Sequence, residues 1–265
     1  MRFASLASGS SGNSTYIGSD NTHILVDAGC TRKKILEALT ELELDLPDIS
    51  GIFVTHEHID HIAALYTIRK KWPIPIYATE GTIEGIRLAD KKKVLSDDLF
   101  HIIRADEEVK IGDLTVRAIR ISHDAREPVG YRITGSESSC AVATDLGCFD
   151  DYTVECLKDC KALLLEANHD SRMLETGPYP YNLKMRIAGD KGHLSNDSSG
   201  ELLIRLLNDN IKGIILGHLS DHNNLPELAY ETVRVLVDMS STPYHSGDFP
   251  MYVAGRSSMS PVIEF

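Results

Sequence analysis

Residues 55–61 read Thr-His-Glu-His-Ile-Asp-His, placing three imidazoles and two carboxylates in one short turn directly after the apolar run Ile52-Phe53-Val54. No other segment restricts the fold so sharply. Burying that many polar groups at a strand end costs several kcal/mol unless something satisfies them, and a divalent cation does so. His56 and His58, two residues apart, can turn their rings toward one ion. Asp60 and His61 begin a helical pattern running from Asp60 to Lys70 and swing to the other side of the loop, where they can hold a second ion. Nitrogen and oxygen donors of this kind suit zinc, iron or manganese. A purely structural zinc knot would need closed tetrahedral ligation, usually with cysteines, and none is nearby.

Further residues of the same chemistry recur at the ends of β-type runs. Asp27 closes Ile24-Leu25-Val26-Asp27, His123 lies in Ile121-Ser122-His123-Asp124, Asp145 in Ala143-Thr144-Asp145-Leu146-Gly147, and His218 in Ile214-Ile215-Leu216-Gly217-His218. Singly, each such histidine is more often a satisfied core or surface residue. In this order, behind the 55–61 motif, they resemble the signature of the metallo-β-lactamase superfamily over nearly the whole chain. The resemblance implies an α/β fold of the metallo-β-lactamase type, a four-layer αββα sandwich forming a single domain over residues 1–265. It also implies two divalent metal ions per chain, zinc or manganese with iron as a third option. His56, His58 and His123 would hold the first, Asp60, His61 and His218 the second, and Asp145 both. Asp27 would stand outside the ligand set and fix the 56–61 loop.

A narrower likeness is carried by four segments: the opening Ser5-Leu6-Ala7-Ser8-Gly9-Ser10-Ser11-Gly12-Asn13-Ser14, Glu166-Ala167-Asn168-His169-Asp170, Gly192-His193-Leu194-Ser195-Asn196, and His218-Leu219-Ser220 through Asn223-Asn224-Leu225-Pro226-Glu227. They resemble the YycJ (WalJ)-type branch. That resemblance implies a metal-dependent phosphodiesterase acting on DNA from the 5′ end by two-metal hydrolysis, with nucleic acid as its partner. Asp60 would also orient the attacking water. The same ligand set serves glyoxalase-type thioesterases and lactonases, so a small-molecule hydrolase is the alternative. β-Lactamase activity is disfavoured, because Asp145 stands where those enzymes that use a cysteine at the second metal carry it. Redox relatives recruit a flavodoxin-like domain, for which 265 residues leave no room. A non-catalytic binding module would have lost a ligand, and none is lost.

Several loops are candidates for handling substrate. Ser10, Ser11 and Asn13 lie in a glycine- and hydroxyl-rich turn whose backbone N–H groups could cradle an anion. The connection from Ser171 to Ser195 carries Arg172, Lys184, Arg186 and Lys191 among Tyr179 and Tyr181, and cations among aromatics suit phosphates and stacked bases. Lys184, Arg186 and Ser195 are therefore expected at the substrate, Ser195 also capping the next helix. His193 is expected to meet a phosphate or to protonate a leaving oxygen. Asn168 and His169, following an apolar strand, are expected to act on substrate at the same edge.

The 39 acidic against 27 basic residues give a formal charge of −12. Such a chain is no general polyanion binder, since phosphate affinity rests on clustered Lys and Arg. Two divalent ions would bring the balance to about −8, so DNA must be drawn by a focused site. Five cysteines in no zinc-type spacing read as reduced thiols. With no long apolar segment and no basic-then-apolar leader, a cytoplasmic protein without membrane attachment is expected, with room for a homo-oligomer. Helical patterns cover Arg32–Leu42, Asp60–Lys70, Thr82–Ala89, Asp197–Leu207 and Leu225–Met239, set between blocks of strand-like runs. Two sheets packed face to face with helices outside accommodate that order, with the metal ligands at one edge. No internal repeat is legible in the residues.

Overall fold

Fourteen apolar, mostly short strands assort into two sheets of seven in the computed structural model, which describes all 265 residues. The first sheet is built from β1 (Arg2–Ala7), β2 (Ser14–Gly18), β3 (His23–Val26), β4 (Ile49–Phe53), β5 (Ile76–Ala78) and β6 (Phe100–Ile102). The second holds β7 (Glu108–Ile111), β8 (Leu114–Arg120), β9 (Val129–Thr134), β10 (Ser139–Ala143), β11 (Ala162–Glu166), β12 (Gly213–Gly217) and β13 (Met251–Val253). The last strand, β14 (Ile263–Glu264), returns to the first sheet beside β1.

The two sheets share one plan. β1, β2 and β3 pair antiparallel and β4, β5 and β6 follow in parallel; β8, β9 and β10 pair antiparallel and β11, β12 and β13 follow in parallel. The repeat is one of strand order, which is why the residues do not betray it. Parallel neighbours need crossovers, and these supply the helices that cover the outer faces.

Nine helices fill the connections: α1 (Arg32–Glu41), α2 (Ile59–Ile62), α3 (Leu65–Ile68), α4 (Glu80–Ala89), α5 (Asp151–Leu157), α6 (Ser171–Thr176), α7 (Tyr181–Ile187), α8 (Asn196–Leu206) and α9 (Pro226–Met239). Each long helix buries one stripe, as Ala229, Val233 and Val237 do at four-residue spacing on α9. α1, α3 and α4 pack on the outer face of the first sheet, and α5, α8 and α9 on that of the second. Between the sheets, Phe3, Ile24 and Phe53 meet Val116, Tyr131, Leu164 and Ile215. The layers are thus helix, sheet, sheet, helix, the αββα order expected.

Two expectations about local structure need correction. The Asp60–Lys70 pattern is not one helix but two short ones. A continuous helix would bond the Ala64 N–H to the Asp60 carbonyl; instead Ala64 donates to Ala28 O at 2.8 Å, and Asp60 O accepts from Asn13 N at 2.8 Å. The loop is tied to the first sheet at the expense of helical continuity. The 171–195 connection, in turn, is largely helical as α6 and α7, short elements separated by Pro178 and Pro180. All five cysteines are free, and no helix is long and apolar enough to cross a membrane.

Candidate metal centre

The carboxyl ends of β3, β4, β10, β11 and β12 converge on one edge of the sandwich and deliver the site's side chains there. Three of the deliverers, Asp27, Asp145 and His218, hold left-handed backbone with φ of 62°, 60° and 57°. Non-glycine residues avoid that region at a cost of order 1–3 kcal/mol, and such strain concentrates at functional sites. Gly29 lets the 56–61 loop settle on the first sheet: a Cβ there would lie 1.6 Å from Asp60 O.

The imidazoles are held from behind. His61 Nδ1 lies 2.7 Å from Asp27 Oδ2, and the same carboxylate accepts from Thr55 N at 2.8 Å and from its hydroxyl. Glu166, fully buried, accepts from both His193 Nδ1 and His218 Nδ1 at 2.8 Å and from Leu146 N at 2.7 Å. His123 Nδ1 faces Gly192 O at 3.1 Å, and His56 Nδ1 faces the Thr55 hydroxyl at 3.0 Å. Each ring therefore aims its other nitrogen at the cleft, the arrangement that orients metal-binding histidines.

His61 Nε2 meets the Asn13 amide at 3.0 Å, but three of the other inward nitrogens have nothing to bond. Nε2 of His56, His123 and His218 and Oδ2 of Asp145 are buried without partners. Orphaned buried groups are rare in folded proteins, and four lining one cleft are what bound cations would satisfy. Donor atoms of His56, His58 and His123 gather within 4.8 Å of one another, as do those of Asp60, His61 and His218. Asp145 stands between the groups, 3.4 Å from His61 Nε2 and 3.8 Å from His123 Nε2. The residues present could hold divalent metal, with Asp145 beside both groups. The further cluster of Asp145, Glu166, His193 and His218 is a hydrogen-bonded one, since Glu166 is already bonded to both rings.

The electrostatics divide the rings by their neighbours, and on His61 and His218, whose values nearby carboxylates raise, a metal ion would have to displace a proton. Burial, reinforced by neighbouring imidazoles, pushes the His56 pKa well below its usual value, leaving a neutral ring able to ligate. Burial alone would do the same to His61, but Asp27 and Asp145 outweigh it and raise the value to about 9. Burial opposes ionisation of Glu166, yet His193 and His218 hold its carboxyl well below the usual range. His193 is raised: burial lowers its value, and the Glu166 charge more than compensates.

The cleft above these groups, of about 290 Å³, is lined by Ser10, His58, Asp60, His123, Asp145, Asn168, Arg186, His193 and His218, with Tyr179 at its wall. Several expected substrate residues lie elsewhere. Asn13 is buried and spends its amide on its own turn, at Gly9 O and Gly9 N, and on the metal-site ring His61, at Nε2 3.0 Å away. With Asn13 N on Asp60 O and Gly12 N on Gly9 O, the turn is a structural knot rather than an open nest, and only Ser10 reaches the cleft; Ser11 is exposed outside its lining. Lys184 points away, its Nζ on Glu175 O at 2.7 Å. Ser195 caps α8 by accepting from Ser198 N at 3.1 Å and does not line the cleft. His169 is buried behind the wall, in a neighbouring cavity. Arg186 does line the cleft, ion-paired with Asp124.

Sequence reading passed over Glu166 and Asp124. Glu166 ends a strand of five buried residues, and a carboxylate closing an apolar run is a visible signal. Asp124 directly follows His123, and its Oδ1 is buried without partner 3.5 Å from His123 Nε2.

A family model described as Beta-lactamase superfamily domain matches residues 22–238. Over 265 residues the chain is 35% identical to Exodeoxyribonuclease WalJ of Streptococcus pneumoniae serotype 2 (strain D39), covering 100% of this chain and 98% of that protein. Over 238 residues it is 37% identical to Exodeoxyribonuclease YycJ of Bacillus anthracis, covering 90% of this chain and 89% of that protein. Among solved structures, zinc-bound PqqB of Methylobacterium extorquens superposes with a TM-score of 0.72 at 16% identity over 98% of this chain and 100% of that one. YhfI of Bacillus subtilis, a metallo-β-lactamase fold protein, gives 0.71 at 15% over 98% and 99%. At such identities the structural likeness speaks for the fold alone. Sequence match, strand plan and a convergent set of His and Asp donors agree: the chain belongs to the metallo-β-lactamase superfamily of metal-dependent hydrolases, in its YycJ (WalJ)-type branch.

Proposed function

We propose that this protein is a DNA exonuclease that removes nucleotides from the 5′ end, with two divalent ions, zinc or manganese, bound in the cleft. The observation that carries the reading is the paired donor set sharing Asp145, with Arg186 and His193 on the rim above it. Two relatives matched along nine-tenths or more of this chain are exodeoxyribonucleases, which directs the choice among hydrolytic substrates.

His56, His58 and His123 would hold one ion, Asp60, His61 and His218 the other, and Asp145 both. When bound, the ions supply Lewis-acid polarisation of the phosphodiester and a water ionised near neutrality. The chain's own residues do the rest. Arg186 offers the cleft's one guanidinium to a substrate phosphate, matching its geometry through two parallel N–H groups. Its present partner Asp124 keeps the fork in place until substrate arrives. Asn168, anchored by Nδ2 to His218 O at 2.8 Å, positions the sugar-phosphate along the wall. His193 is tied through Nδ1 to Glu166 and so directs Nε2 outward. The Glu166 charge raises its pKa, favouring a proton there for the departing 3′ oxygen. Ser10 meets the strand on the opposite rim.

The test uses metal-reconstituted protein on end-labelled DNA and RNA, beside a thioester and a lactone. Laddering of DNA from its 5′ end with release of mononucleotides is expected, abolished by chelator. Turnover of the thioester or lactone with DNA left intact would overturn the reading in favour of a small-molecule hydrolase. Elemental analysis should find about two ions per chain; one or none in active protein would remove the shared role of Asp145.

A further inference from the structure

Behind the metal cleft, on the opposite face of α7, lies a second cavity of about 330 Å³. Helix periodicity explains the division. Leu183, Arg186 and Ile187 face the cleft, while Tyr181, Lys184, Met185 and Ala188, spaced by three and four, face the second cavity. The two spaces are one wall apart, because Asn168 lines the cleft and the next residue, His169, lines the cavity.

Its chemistry differs from that of the cleft. Leu174, Met185 and the Tyr181 ring make it largely apolar, and both Tyr181 and Met185 are exposed, at 73% and 54%. Large apolar side chains left open around a concavity mark a binding surface. Into this lining is set one buried polar side chain without a partner: His169 is 3% exposed and its Nδ1 bonds nothing. An unsatisfied buried nitrogen costs about 1–3 kcal/mol and asks for a ligand. Burial lowers the ring's pKa to about 4, so near neutrality it carries one donor and one acceptor nitrogen. An anion is a poor fit, since Lys184 is turned onto Glu175 O and the Glu175 side chain borders the same space.

We infer that this cavity is a nucleobase subsite: a base flanking the scissile phosphodiester passes over α7, stacks on Tyr181 and Met185, and hydrogen-bonds His169. The inference rests on DNA being the substrate. A flat heteroaromatic ring with polar edges matches an apolar slot holding one neutral imidazole. The volume, at the lower end of small-ligand sites, suits one base rather than two. Arg186 on the cleft side of the same helix then holds the phosphate while Tyr181 and Met185 hold the base, so α7 grips one nucleotide from both faces. Sequence preference would be weak, because every base offers a stacking face.

Oligonucleotides carrying a single abasic site at successive positions from the 5′ end test this, with methyl p-nitrophenyl phosphate as a substrate that has no base. Wild type should lose about tenfold in kcat/KM at one position near the scissile bond and little elsewhere, the size expected for one stacked base. Tyr181→Ala with Met185→Ala, both on exposed positions, should raise KM for intact DNA about tenfold, cancel the abasic penalty, and turn over the small phosphodiester like wild type. An equal abasic penalty in wild type and double variant, or no position-specific penalty, would overturn the subsite while leaving the nuclease reading intact. Hydrolysis of the small ester with no DNA cleavage by wild type would instead remove the nuclease reading, and the subsite would fall with it.

Discussion

Asp27 and Asp145 follow corresponding strands of the two sheets, one residue past β3 and two past β10, both in left-handed backbone, and they flank one imidazole from opposite sides. Asp27 Oδ2 lies 2.7 Å from His61 Nδ1 and Asp145 Oδ2 lies 3.4 Å from His61 Nε2. The duplicated strand plan thus supplies one carboxylate that fixes the ring and another that stands on its far side.

Replacing Asp145 with Asn preserves its shape and removes the charge between two cations. Turnover should fall by at least about two orders of magnitude, as removal of one strong electrostatic stabiliser does. Steady-state rates beside metal analysis decide it: near-normal turnover with both ions retained would show that Asp145 is not shared between them.

Glu166→Gln leaves an acceptor for one ring but withdraws the charge that serves two. Zinc affinity, measured by competition with a chromophoric chelator, should drop about 10- to 100-fold. Since Glu166 raises the His193 pKa, its loss must lower it. The proton on His193 is then lost at lower pH, so the alkaline limb of the rate profile should shift toward acid. An unmoved limb would take the leaving-group proton away from His193.

Salt dependence separates the two cations once expected together. Arg186→Ala should weaken DNA cleavage and flatten the slope of log K against log salt by roughly 0.7 to 0.9, one phosphate contact's share. Lys184→Ala should leave that slope alone, its amino group being committed to Glu175 O. The opposite pattern would mean that the strand runs on the other side of α7.

His169 makes stability depend on pH. Its folded value of about 4 lies below the ordinary 6.5. Between those values the unfolded chain binds a proton that the folded chain refuses, so stability falls as pH drops through that window and is fully present above it. Urea midpoints of metal-free protein should decline from neutrality toward pH 4, and those of His169→Gln should decline less. Parallel declines would assign the loss to other groups.

What the sequence determined by itself was the donor set and the frame that presents it. The 55–61 motif, with Asp27, His123, Asp145 and His218 each following an apolar run, marked side chains that the fold gathers at one edge, because short apolar runs are legible as strands and buried polar clusters are costly without a cation. Tertiary structure decided which polar residues face the cleft. Ser10, Ser11 and Asn13 look alike in the chain, but the bond from Asn13 N to Asp60 O turns Asn13 inward and leaves Ser10 on the rim. Lys184 and Arg186 are two residues apart, about half a helical turn, which sends them to opposite faces of α7. Glu166 shows its worth only when β12 lies beside β11 and brings His218, and the loop before α8 brings His193, to its Oε1. Local pattern fixes where a side chain leaves the backbone; which partner it meets depends on contacts between residues far apart in the chain.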